Sequence, residues 1–154
     1  MTTYYLDTSA LIKRYVTETG SEWVQNLFDS KEDRLFITSR LTMPEAFSAF
    51  ARRLRENSVT VAQYNTNVDL FRDDSSSTYN YVELTLDVIN LSRHLLEKHP
   101  LRANDAVQLA SAILTNRLLV SASMPQVRFL CADKNLISAA TAEGLRSENP
   151  NEKI

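Results

Sequence analysis

Short β-rich runs alternate with segments of helical period through this 154-residue chain, and the alternation leaves few folds open. Thr2 to Leu6 is β-branched and aromatic and stops at the polar turn Asp7-Thr8-Ser9, so it reads as a strand. Leu35 to Thr38, Tyr79 to Leu84 and Val127 to Cys131 read the same way, and Leu145 onward reads as a brief edge strand before Pro150. Between these runs the apolar residues recur at three- and four-residue spacing. One helix carries Ala10, Leu11, Tyr15 and Val16, with Lys13 and Arg14 off that stripe; a second, after Gly20 and a Ser21 cap, carries Trp23, Val24, Leu27 and Phe28. Further helices carry Phe47, Phe50 and Leu54, then Val61 to Phe71, then Val88, Leu91 and Leu95 behind a Thr85 cap, and finally Leu136, Ile137 and Ala140. Strands separated by helices form a mostly parallel α/β sheet.

The most informative helix is LRANDAVQLASA, Leu101 to Ala112. Its apolar positions Ala106, Leu109, Ala110, Ile113 and Leu114 fall on one face, and its small residues allow a neighbouring backbone to come close, so it is expected to lie buried on the sheet. Asp105 stands in its first turn. Locally that is also where the helix dipole favours an acid, with Asn104 as a possible N-cap. Glu45 likewise opens a helix, and Thr42-x-x-Glu45 is a capping-box pattern in its own right. Asp7 and Asp133 stand where a strand gives way to a helix.

In a parallel sheet, strand C-termini and helix N-termini share one edge, the edge at which α/β folds bind ligands. Four carboxylates gathered there would repel one another unless a cation joins them. No Cys or His accompanies them in the pattern, and an all-oxygen set selects a hard ion, Mg²⁺ or Mn²⁺. Such a site polarises a phosphoryl oxygen and activates a water, which is the chemistry of phosphodiester hydrolysis.

Other chemistries are excluded by what the chain lacks. With only two glycines, Gly20 and Gly144, neither a phosphate-cradling P-loop nor a dinucleotide fingerprint can be written. No G-x-S-x-G elbow is present. His94 and His99 lack a third partner for zinc and are assigned to surface or packing roles. Cys131 is a lone, buried small hydrophobe in the run VRFLCAD, which fits a reducing compartment. The net charge of -2 gives no overall attraction to nucleic acid or anionic membrane, so a phosphate-bearing partner must be drawn by a local patch or a bound cation. Arg52, Arg53 and Arg55 read as a solvated face at a helix C-terminus.

No run approaches a membrane span and the N-terminus has no basic leader pattern, so a soluble, cytoplasmic protein is expected. Asp73 to Ser77 is polar enough for a linker, but only two strands precede it and the acids lie on both sides. It is expected to be a surface loop of one domain covering residues 1–154.

The chain resembles a PIN-domain ribonuclease of the VapC toxin type. The resemblance is carried by YYLDTSALIKRYVTETGS, by SRLTMPEAFSAFARR around Glu45, by LRANDAVQLASA around Asp105 and by FLCADKNLISAATAEGL around Asp133. It implies a three-layer PIN fold, Mg²⁺ or Mn²⁺ at Asp7, Glu45, Asp105 and Asp133, a supporting role for Thr8 and Ser9, RNA as substrate, and a cognate antitoxin as partner; a homodimer is expected as well. Trp23, Phe28, Phe47 and Phe50 exceed what one core readily holds, and are expected to take part in seating the antitoxin. Two positions depart from the pattern: Asn104 replaces an apolar residue before the third acid, and Cys131 stands where Thr is common before the fourth. The alternative class is a catalytically silent PIN-like module that binds RNA or protein without cutting.

Overall fold

The first strand, β1 (Thr2–Leu6), is the centre of the sheet because both of its faces are apolar: Tyr4 and Leu6 point one way, Tyr5 the other, and all three are buried. A computed structural model describes residues 1–153. In it β1 pairs in parallel with β2 (Arg34–Ser39) on one side and β4 (Arg128–Leu130) on the other. The outer strands, β3 (Tyr79–Val82) and β5 (Arg146–Glu148), are also parallel, giving the order β3-β2-β1-β4-β5. This is the expected α/β class with about five strands.

The helices divide between the two faces. On the Tyr4 and Leu6 side pack α1 (Thr8–Leu11), α2 (Ser21–Asp29), α3 (Thr42–Arg55) and α4 (Val61–Ser77), closing over Leu11, Phe50 and Phe71. On the Tyr5 side pack α5 (Leu86–Lys98), α6 (Ala103–Ser121) and α7 (Lys134–Ala142), closing over Leu95, Leu109, Phe129 and Leu136. Truncating a side chain such as Leu109, which has no exposure, costs about 2–5 kcal/mol. As its small residues suggest, α6 is the buried helix, with Ala106, Leu109, Ala110, Ser111 and Ala112 all wholly enclosed.

Gly20, with φ +83°, lies where a Cβ would meet the Pro150 carbonyl oxygen at 2.6 Å, so the chain's last 3-10 turn (Pro150–Glu152) packs on α2 only because this residue has no side chain.

Two expectations are corrected. Asp73 to Ser77 is the last turn of α4 rather than a loop: Ser76 and Ser77 hydroxyls donate back to the Asp73 carbonyl, and Asp74 is buried against Arg14 Nε at 2.7 Å and the Tyr15 hydroxyl at 2.6 Å. Lys13 and Arg14, off the apolar stripe in the sequence, are drawn inward. After α1 the chain tightens into a 3-10 turn (Ile12–Arg14), which rotates Lys13 inward to Glu18 and the Thr19 carbonyl and Arg14 toward Asp74. Of the aromatic residues read as surplus, one is core and three are half-buried around it. Phe50 is core, Phe47 meets it edge-on, Phe28 stacks on Phe36 at 4.1 Å, and Trp23 packs at the margin of the same cluster.

Candidate active site

The C-terminal ends of β1 and β4 are tied together by one hydroxyl. Asp7, directly after β1, caps α1 through Oδ2, which accepts from the Ser9 amide at 3.1 Å and the Ser9 hydroxyl at 2.6 Å. The same hydroxyl accepts from the Ala132 amide at 3.0 Å, just beyond β4. Asp133 follows at once and caps α7, its Oδ1 accepting from the amides of Asn135 and Leu136. Cys131 is wholly buried between the two acids, with Sγ 3.7 Å from Asp7 Oδ2 and 3.3 Å from the Asp133 amide nitrogen.

Glu45 comes from the first turn of α3, yet it does not close a capping box. Its Oε1 accepts from the Thr8 hydroxyl at 3.0 Å and Gln108 Nε2 at 2.8 Å, and its Oε2 accepts from Asn104 Nδ2 at 2.9 Å. Thr42 is also taken up elsewhere, within hydrogen-bonding distance of Thr38 and Gln108. The side chains that local pattern assigned to capping are instead spent on tertiary contacts. Asn104 likewise is no N-cap: α6 starts after Arg102, and Asn104 reaches across to α3. Asp105 does sit in the first turn of α6, with Arg102 Nε 3.6 Å from its Oδ2.

Asp7, Glu45, Asp105 and Asp133 line one cavity of about 600 Å³, together with Thr8 and Ser9. Lys13, Arg52, Arg53 and Arg102 line it too. The arginines read as a solvated face at the end of α3 thus run alongside the acids; Arg53 pairs with Glu18 at 3.0 Å while Arg52 is exposed. Gln108 is the residue that sequence reasoning passed over. Its place on the buried face of an otherwise small and apolar helix was the available signal, since a buried carboxamide must find partners.

Burial pushes the Asp7 carboxyl up to about 6, against the two Ser9 hydrogen bonds that favour its charge, and Glu45 and Asp105 nearby add to the rise. Asp105 is also raised, first by burial and then by the charge of Asp133, with Arg102 opposing. Burial pushes the Cys131 thiol up as well, which makes it a poor nucleophile.

The donor set suits a hard divalent ion. Among the described residues, one oxygen of each of Asp7, Asp105 and Asp133 makes no hydrogen bond, so the cavity holds unneutralised carboxylate oxygens and no free imidazole. The side chains do not stand closed around a point: among the described residues no three His, Cys, Asp or Glu form a ready-made ligating group. Closing such a set takes side-chain adjustment at the cavity wall.

Residues 4–123 match the family described as the PIN domain; Asp7, Glu45 and Asp105 fall inside that match and Asp133 just beyond it. The chain is 35% identical over 144 residues to "Ribonuclease VapC45" of Mycobacterium tuberculosis strain CDC 1551, with 92% of each chain covered. It has the same identity and coverage against "Ribonuclease VapC49" of Mycobacterium tuberculosis strain H37Rv. The fold is shared with VapBC2 from Rickettsia felis bound to a DNA fragment from its promoter, at TM-score 0.63 and 14% identity over 96% of this chain and 98% of that one. It is shared also with a toxin-antitoxin complex from Klebsiella pneumoniae, at TM-score 0.59 and 17% identity over 96% and 97%.

Proposed function

This chain belongs to the PIN-domain family, and from that premise we propose that it is a metal-dependent endoribonuclease, the toxin half of a toxin-antitoxin pair, acting in the cytoplasm. The observation that carries the reading is the convergence of Asp7, Glu45, Asp105 and Asp133, from four separate elements, on one cavity. The relatives named as ribonucleases support it through identity over nearly their whole length. The chain 1–154 is read as a single PIN domain, since acids from both of its ends build the one cavity.

Asp7, Glu45, Asp105 and Asp133 are the catalytic residues and the groups that hold Mg²⁺ or Mn²⁺. Such an ion, when bound, polarises a phosphoryl oxygen and lowers the pKa of a water enough to make it a nucleophile at neutral pH. The chain's own side chains prepare the rest. Ser9 fixes the Asp7 carboxylate by two hydrogen bonds, and Thr8 holds Glu45. Exposed Arg52 and Arg102 on the cavity wall contact substrate phosphates, which offsets the chain's overall negative charge where RNA must approach.

The antitoxin is inferred from solved structures that share this fold: one is a toxin-antitoxin complex, and another is VapBC2 bound to a promoter DNA fragment. For a homodimer, the apolar groove of about 520 Å³ where α5 and α6 flank Val82, with Leu118 72% exposed beside it, offers a face to cover.

The test is incubation of the purified chain with total RNA at millimolar Mg²⁺ or Mn²⁺ and with a chelator. RNA is expected to be cut only with metal. Intact RNA at every metal tried, from protein shown to be folded, contradicts the proposal.

A further inference from the structure

Gln108 is 1% exposed, in a helix whose other buried positions are small or apolar. A carboxamide there is costly unless each of its groups is paired. Its Oε1 accepts from the hydroxyl of Tyr5, a residue with no exposure in the middle of β1, at 2.8 Å. Its Nε2 faces Glu45 Oε1 at 2.8 Å, Thr42 Oγ1 at 3.0 Å and Thr8 Oγ1 at 3.2 Å. The amide cannot be turned over: the flipped rotamer would set its oxygen against the Glu45 carboxylate. Charge therefore fixes its orientation, and the Tyr5 hydroxyl is fixed by it in turn.

Asn104 stands one turn earlier on the same face of α6 and takes the other oxygen of Glu45 at 2.9 Å. Two neutral amides on one helix thus grip both oxygens of one carboxylate on another. Oε1 already serves two donors, Thr8 and Gln108, whereas Oε2 serves one and keeps an acceptor site. Replacing such a buried polar set as a whole by well-packed apolar groups is often neutral for stability, so stability alone does not account for it.

We propose that Gln108 and Asn104 are positioning residues: a two-amide clamp that holds the Glu45 carboxylate with Oε2 available, and so sets how tightly the acid cavity binds its divalent ion. This rests on the reading of that cavity as a metal-dependent ribonuclease centre. Asn104, half-buried at the cavity wall, is the more informative arm because its loss does not open the core.

The test measures Mn²⁺ affinity by calorimetry on RNA-free protein, and kcat and KM for RNA cleavage, in wild type, Asn104→Ala, Asn104→Ser and Gln108→Met. Removing a hydrogen-bond partner behind a metal ligand typically weakens binding or activity by about 10–100-fold. Asn104→Ala and Gln108→Met are expected to weaken Mn²⁺ binding about tenfold and to lower kcat, with KM for RNA unchanged. Asn104→Ser, which keeps a donor, recovers part of the loss. If Gln108→Met does not fold, the Asn104 pair decides alone. Wild-type Mn²⁺ affinity and kcat in Asn104→Ala overturn the clamp. A wild-type protein that binds no Mn²⁺ and cuts no RNA overturns the ribonuclease reading itself, so the two failures are told apart.

Discussion

Ser9 meets Asp7 twice on the same oxygen, through its amide at 3.1 Å and its hydroxyl at 2.6 Å, and leaves the other oxygen of that carboxylate without a hydrogen bond among the described residues. The arrangement aligns a buried acid while keeping half of it free. Because the Ser9 hydroxyl also receives the Ala132 amide, one side chain registers the ends of β1 and β4.

Ser9→Ala removes the shorter of these bonds and orphans the Ala132 amide. A hydrogen bond to a charged group contributes about 1.5–3 kcal/mol, so folding stability is expected to fall by that amount and the melting temperature with it. The Asp7 carboxyl, already raised to about 6, loses a bond that favours its charge and moves further up. RNA cleavage at neutral pH is expected to fall more than the folded fraction does. Parallel melting and cleavage assays check this, and unchanged cleavage would remove Ser9 from the site.

Much of this arrangement was legible in the sequence, and the gaps have a common cause. Period and composition identify β1 and the buried α6, and the strand-to-helix transitions place Asp7 and Asp133 on one edge of the sheet. Local pattern misleads where a tertiary partner outbids a local one. Thr42 and Glu45 spell a capping box but are engaged by Thr38, Thr8, Gln108 and Asn104. Asp73 to Ser77 spells a loop, but Arg14, sixty positions away from Asp74 in sequence, neutralises that acid and keeps the last turn helical. No windowed reading of polarity can see either partner.

Asp7 gives the metal-free protein a definite pH dependence. Its carboxyl is raised from 3.8 to about 6 on folding, so the folded state holds the proton more tightly than the unfolded chain does. Its contribution is fully present below about pH 4 and is lost as pH rises through about 6, a fall on the order of 3 kcal/mol. Divalent metal should restore stability on the alkaline side, because it binds the ionised carboxylates of the folded state. Melting curves across pH, with and without Mg²⁺, are expected to diverge above about pH 6. Asp7→Asn should abolish both the pH step and the divergence.

Asp74 offers a control far from the chemistry. It is 7% exposed as a side chain and neutralises Arg14, which is 16% exposed. Asp74→Ala leaves a buried guanidinium without its partner, a change that costs about 3–5 kcal/mol. Denaturant unfolding should show that loss. Cleavage per folded molecule should stay as in wild type, and a selective loss of cleavage would mean that the α4 end is coupled to the acid cavity.

Asp105→Asn decides whether the four acids form a metal-dependent catalytic site. The substitution keeps the size of a side chain that is 15% exposed and removes the charge a hard cation needs. If Asp105 served only the helix dipole, stability would change by less than about 1 kcal/mol and cleavage not at all. The expected result is a melting curve without metal close to that of wild type, loss of the metal-induced shift, and RNA cleavage lower by orders of magnitude. RNA cleavage at the wild-type rate by folded Asp105→Asn protein, with the metal-induced shift intact, would contradict it.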